Sequence, residues 1–142
     1  MLLARKVRSA LRLGGANRLL VAEAALMLAL ARLCVLTVPF RILVLWLSRA
    51  PDAPARDAAL AQRVGNAVAI AARNVPWNAV CLPQAMAAKA MLALRGQGSA
   101  FHLGATIEAD GAFSAHAWLE CDGRIVTGAK GMQDMSHMAR FR

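Results

Sequence analysis

Apolar positions recur at helical spacing through the first two thirds of the chain and alternate with polar ones in the last third. Residues 2–13 read as a basic helix ended by Gly14-Gly15. Asn17 is placed to cap a second helix running to about Thr37, and Pro39 breaks it. A third helical run covers 40–49. Pro51 and Pro54 then make a short linker with Asp52. Asp57 opens a helix over 57–73, followed by a loop at 74–78. Cys81-Leu82-Pro83-Gln84 starts the next helix, with Pro83 in its first turn. That helix runs to Leu94 or Arg95, and Gly96 caps it. Three strands are predicted at 100–108, 113–120 and 124–127. Asp110-Gly111 and Asp122-Gly123 separate them as tight hairpin turns. The tail from Gly131 holds three methionines and reads as irregular. The fold class is therefore α+β. A basic, apolar helical region spans 1–56, and a second unit spans 57–142.

Charge sharpens this division. Of the formal net charge of +9, residues 1–50 carry +7, residues 51–100 carry +3 and residues 101–142 carry −1. A basic N-terminal half suits an acidic peptide, a partner protein, anionic lipid or nucleic acid. Nucleic acid is disfavoured, because the chain has no Tyr and no helix-turn-helix or zinc-finger spacing. The apolar run 19–47 is interrupted by Glu23, Arg32 and Arg41. A charge at mid-bilayer costs roughly 2.5–3.5 kcal/mol on insertion scales, so a pair of amphipathic helices covering a core is expected. An interfacial helix on the membrane surface is the alternative. The N-terminal basic region is too long for a secretory signal and lacks a small-residue cleavage site. Three cysteines (34, 81 and 121) without a CxxC pair argue against a disulfide framework and fit a reducing cytoplasm.

The chemistry concentrates on two residues. Cys81 stands at a helix start, where free N–H groups and the positive end of the dipole stabilise a thiolate. Cys34 lies within an apolar helix and Cys121 within a strand segment, and neither has such a device. In the strand 113–120, alternation puts Ser114, His116, Trp118 and Glu120 on one face and Phe113, Ala115, Ala117 and Leu119 on the other. His116 is the candidate base for Cys81. With two-residue turns at both Asp-Gly pairs, Ala129 and Ala105 flank His116, and neither orients its ring. Trp77 and Trp118 are candidates for lining a substrate groove, against the commoner use of Trp as core. Gln84 is a candidate oxyanion donor, against a solvated amide, and the Cys81 N–H is the better donor. His102 and His137 read as residues without partners. A metal set of Cys81, His116 and Cys121 is disfavoured, because 116 and 121 point to opposite faces of a strand. No metal or cofactor is expected.

The run Pro76-Trp77, Cys81-Leu82 with Ala85, Arg95-Gly96, Gly104, Ala115-His116-Ala117-Trp118-Leu119-Glu120 and Asp122-Gly123 resembles the transglutaminase-like leader peptidases of lasso-peptide biosynthesis. The resemblance covers residues 60–128. It implies a papain/transglutaminase-like core with a catalytic-cysteine helix and a small antiparallel sheet. It implies a cytoplasmic cysteine peptidase that removes the leader from a ribosomally made precursor before macrolactam formation. Its partners would be the precursor peptide, a separate leader-recognition protein and an ATP-dependent lasso cyclase. By the same resemblance, Cys81 is nucleophile and His116 is base. The family carries an Asp about a dozen residues after the His. Here that neighbourhood is Thr127, Gly128, Ala129 and Lys130, and Asp134 is the candidate replacement. The alternatives are a crosslinking acyl-transfer enzyme and a non-catalytic relative that binds precursor.

Overall fold

A computed structural model of the chain describes residues 15–48, 57–107, 109–121, 123–128 and 136–141. The expected helix over 2–13 and the linker at 51–56 lie outside the described residues. The elements run α1 (Gly15–Thr37), α2 (Phe40–Ser48), α3 (Ala58–Asn74), α4 (Cys81–Leu94), β1 (Ala100–Ile107), β2 (Phe113–Cys121), β3 (Arg124–Thr127) and β4 (Ser136–Phe141). The strands form one antiparallel sheet in the order β3-β2-β1-β4.

Each helix follows from its pattern. On α1, Leu20, Ala24, Leu28 and Ala31 form a buried stripe at three- and four-residue spacing. Asn17–Thr37 is long and apolar enough to cross a membrane. In the fold, that stripe enters the core, and Glu23 pairs with Arg95 just beyond α4. Asp57 caps α3 by accepting from Leu60 N at 3.1 Å. The buried face of α3 is Ala61, Val64, Gly65, Ala67, Val68 and Ala71. α4 is the central helix. It is buried on nearly every side through Ala85, Met86, Ala87, Ala88, Lys89, Met91 and Leu92. The Lys89 ammonium ends on the carbonyl of Ser99 at 2.8 Å, and burial holds its pKa below the ordinary lysine value.

The sheet lays Phe101, Ala117, Leu119 and Cys121 against the helices in one core that also holds the α1 stripe. α3 and β3 approach closely at Gly65. A Cβ on Gly65 would stand 2.4 Å from the Val126 carbonyl oxygen, so any larger residue pushes the helix off the strand.

Three sequence expectations change here. The tail from Gly131 is not wholly irregular, because Ser136–Phe141 adds a fourth strand beside β1. Its alternation was obscured by the charged residue Arg140 and by a bulge between the Leu103 and Gly104 registers. The Asp110-Gly111 connection is longer than two residues. Ile107 pairs with Phe113, and Asp110 accepts from Ala112 N at 3.0 Å to shape the wider turn. His116 therefore faces Gly104, not Ala105. Cys121 and Arg124 do pair, as the reading of residues 122–123 as a two-residue connection expects. A bulge at Val126 then shifts the register, so that Thr127 faces Leu119 and the ladder stops there. Ala129, expected opposite His116, lies outside the described residues.

Two outcomes test this packing. Gly65→Ala will lower the unfolding free energy by about 1–3 kcal/mol in a denaturant titration, as overpacking does elsewhere. The Glu23–Arg95 pair is bidentate at 2.8 and 2.6 Å, and the Arg95 hydrogen bonds hold the Glu23 carboxyl below its usual range. A carboxylate with a depressed folded-state pKa stabilises above its unfolded pKa, and the effect fades as pH falls through the folded value. Arg95→Ala will therefore cost up to about 1 kcal/mol at neutral pH, and the gap to the parent will close on acidification below the ordinary carboxylate range.

Candidate active site

Val80 is extended at the N-cap and Cys81 is the first residue of α4, so the thiol sits at the turn from loop to helix. The first N–H groups of a helix have no acceptor within it, and Pro83 has none to offer. Gln84 N bonds to Val80 O at 3.3 Å and closes the first turn. The Gln84 side chain is half-buried. Its amide donates to the Ala79 carbonyl at 2.7 Å and fastens the loop that delivers Cys81. The Cys81 N–H remains the donor best placed beside the thiol.

The sheet supplies the partner. The last β2–β3 pair is Leu119 with Thr127. Beyond it the Ala117 N–H donates to Cys81 Sγ at 3.5 Å. Ala117 follows His116 directly, so the thiol is docked against the strand at the histidine. Cys81 and His116 line one cleft of about 310 Å3, together with Phe40, Leu82, Leu103, Ala115 and Ala117. The cleft is apolar apart from these two groups, which suits exclusion of water around a nucleophile.

The imidazole has a partner that sequence reasoning missed. His116 Nε2 lies 2.7 Å from the Gly128 carbonyl oxygen. Sequence reasoning weighed the side chains of Ala105 and Ala129 beside the ring and did not consider a main-chain carbonyl. Trp118 does not line the cleft. It is buried and stacks beside His116 at 6.1 Å between centroids and 21° between planes. On its other side, His102 stacks on Trp118 at 5.3 Å and 2°. His102 Nε2 in turn lies 3.2 Å from Glu120 Oε2, so His102 is a buried, partnered residue. Strand alternation and the register of His102 opposite Trp118 bring these rings together.

Trp77 is also off the cleft. It is half-buried against the core, with the Arg32 guanidinium 5.8 Å from its ring centroid. Asp134 lies outside the described residues, and the side chain of His137 does too. Phe40 is the cleft residue that the sequence did not announce. It begins α2 immediately after Pro39, and that break is the signal that turns it toward Cys81. A larger cavity of about 360 Å3 lies between α1, α2 and α4, lined by residues such as Met27, Trp46 and Met86. Among the residues lining it, Cys34 carries the one ionisable group, so the chemistry belongs to the smaller cleft.

The family comparison agrees with this geometry. A model of the transglutaminase-like superfamily matches residues 24–140. The chain belongs to the transglutaminase-like superfamily. No curated protein and no solved structure matches it. The match begins inside α1 and ends in β4, so the transglutaminase-like region includes the helices that precede Cys81 as well as the closing strand. Among the described residues no cluster of three metal-ligating side chains occurs.

Thiol exposure and environment give a direct check. Cys121 is buried with its thiol on the Gly98 carbonyl at 3.4 Å, and Cys34 lies in the apolar cavity wall. Iodoacetamide will alkylate Cys81 at least about tenfold faster than either at neutral pH, as expected for a thiol beside a helix start and a base. Peptide mapping of a time course reads the three rates. His116→Ala will bring the Cys81 rate down toward the other two.

Proposed function

We propose that this transglutaminase-like chain is a cysteine peptidase that removes the leader from a ribosomally synthesised lasso precursor before macrolactam formation. The observation that carries the reading is the shared cleft of Cys81 and His116, with the thiol held on the Ala117 N–H at the start of α4. The lasso assignment is supported by the Ala115-His116-Ala117-Trp118-Leu119-Glu120 string downstream of Cys81-Leu82.

The chemistry runs in two steps. His116 takes the thiol proton of Cys81, and the sulfur attacks the carbonyl carbon of the scissile peptide. The Cys81 N–H stabilises the developing oxyanion. Collapse breaks the C–N bond, and His116 returns the proton to the departing amine of the core peptide. A thioester then joins the leader to Cys81. Water, deprotonated by His116, hydrolyses it and restores the thiol. Ala115 and Ala117, on either side of the histidine, are small residues of the cleft that would receive the scissile peptide. Phe40 and Leu103 supply apolar contacts for the residues around the cut.

The setting follows from the same reading. The enzyme works in the cytoplasm, a separate protein binds and presents the leader, and an ATP-dependent cyclase takes the product. The unit from 57 to 142 carries the chemistry, and the basic helical region before it faces partners or leader. A second reading, a non-catalytic or crosslinking relative that binds precursor, is favoured by one observation. The His116 ring is met by a main-chain carbonyl where a carboxylate would be expected.

Mass spectrometry of precursor peptide incubated with the protein and its recognition partner separates these readings. One cut at the leader–core junction, absent with Cys81→Ala, is the expected result. A product extended by an added amine would indicate crosslinking. Intact precursor in both samples, with the partner bound, would establish the non-catalytic relative.

A further inference from the structure

We infer that the main-chain carbonyl of Gly128 is the third member of the site, a positioning acceptor that does for His116 what a carboxylate side chain does in a complete triad. The inference deepens the Cys–His reading and rests on it. Its first evidence is chemical. A carbonyl oxygen accepts and never donates, so the contact of 2.7 Å requires the proton on Nε2. The neutral ring then has its lone pair on Nδ1, the nitrogen left to take the Cys81 proton. The Gly128 contact selects this tautomer without carrying a charge.

The second evidence is that the backbone is built for the contact. Gly128 has φ +77°, a conformation that side-chain-bearing residues adopt at a cost. A Cβ there would also stand 2.6 Å from the Ala117 carbonyl oxygen and 2.9 Å from Trp118 Cβ. No other residue fits without displacing the chain. The Val126 bulge ends the β2–β3 ladder at Thr127, one residue before Gly128. Past the end of the ladder, the Gly128 carbonyl is directed at the imidazole. Trp118 bounds the ring from the side, itself stacked on His102. Two constraints thus fix His116: a hydrogen bond at Nε2 and a stacked neighbour.

The third is positional. Gly128 follows His116 by twelve residues, the interval at which the resemblance to the leader peptidases implies an acid. The chain puts its carbonyl there, and the missing Cβ rules out an acidic side chain at that position. In catalysis the thiol proton moves to Nδ1, both ring nitrogens become donors, and the Nε2 bond to Gly128 becomes charge-assisted. No proton passes to the carbonyl, so atoms and charge balance within the Cys81–His116 pair.

The test reads the ring directly. The full chain is labelled with 15N-histidine, and long-range 1H–15N spectra are recorded at rising pH until the ring signals stop changing. His116 will show one tautomer, protonated at Nε2. Replacing Ala129 by lactic acid turns the 128–129 amide into an ester, whose carbonyl is a weaker acceptor, and leaves Gly128 in place. This variant will show a mixture of tautomers. Its kcat for precursor cleavage will fall about two- to tenfold with KM within about twofold, the effect of weakening one hydrogen bond. Gly128→Ala will lower kcat further, and if it fails to fold, the ester variant decides. A ring protonated at Nδ1 in the parent overturns the inference. So does a tautomer that shifts on Asp134→Asn and not on the ester substitution, because a carboxylate is then the acceptor. If the parent cuts no precursor, the peptidase reading fails by itself, while the spectra still decide whether Gly128 holds the ring.

Discussion

The site depends on a junction between a helix start and an open strand edge. The Ala117 N–H points at Cys81 Sγ because β3 has already ended, and α4 occupies the space that another residue of β3 would fill. Were β3 two residues longer, its ladder would compete for that N–H and displace the thiol. The short third strand, the bulge at Val126 and the abrupt start of α4 at Cys81 are therefore one constraint seen from three elements. Burial of α4 on nearly all sides holds the junction, since a helix anchored by Ala85, Ala88, Met91 and Leu92 cannot slide along the sheet without opening the core.

The same region explains how a compact chain builds a cleft from separate elements. α1 and α3 pack α4 from the helical side, and the close approach of Gly65 to Val126 sets the distance between α3 and the sheet. Phe40, at the first residue of α2, completes the cleft wall from the basic helical region. The region before residue 57 therefore contributes to the transglutaminase-like site as well as to its outer surface. That surface is unusually apolar on α1 and α2, with Leu19, Leu36, Ile42 and Trp46 exposed.

Much of this was legible in the residues. Helix boundaries from 37 to 94 came out within two residues, because Pro39, Asp57, Pro83 and Gly96 punctuate the chain, whereas α1 already includes Gly15 and Asn17, which read as a helix end and a cap. The first three strands were equally plain from alternation and two Asp-Gly pairs. Cys81 at a helix start and His116 on a strand were visible as types in a pattern, and the fold brings them to one cleft. What was hidden depended on main-chain geometry. A bulge at Val126 and a five-residue connection around Asp110 each shift the register by one residue, and neither leaves a mark in side-chain pattern. The partners of His116 and His102 were missed for that reason. The Gln84 bond to Ala79 was not foreseen, because a side chain bonding back to its own loop looks the same in sequence as one facing solvent. The fourth strand escaped because Arg140 and Met residues around a bulge blur the alternation of a short edge segment.

On the proposed reading, Cys81 and His116 act together as nucleophile and base. Intact-protein mass spectrometry of rapidly quenched mixtures with precursor and recognition partner tests it most directly. A transient mass increase equal to the leader less one water, mapped as a thioester to Cys81 and reversed by hydroxylamine, is the predicted result. An adduct on another residue, or cleavage that proceeds with no acyl intermediate on Cys81, would contradict it.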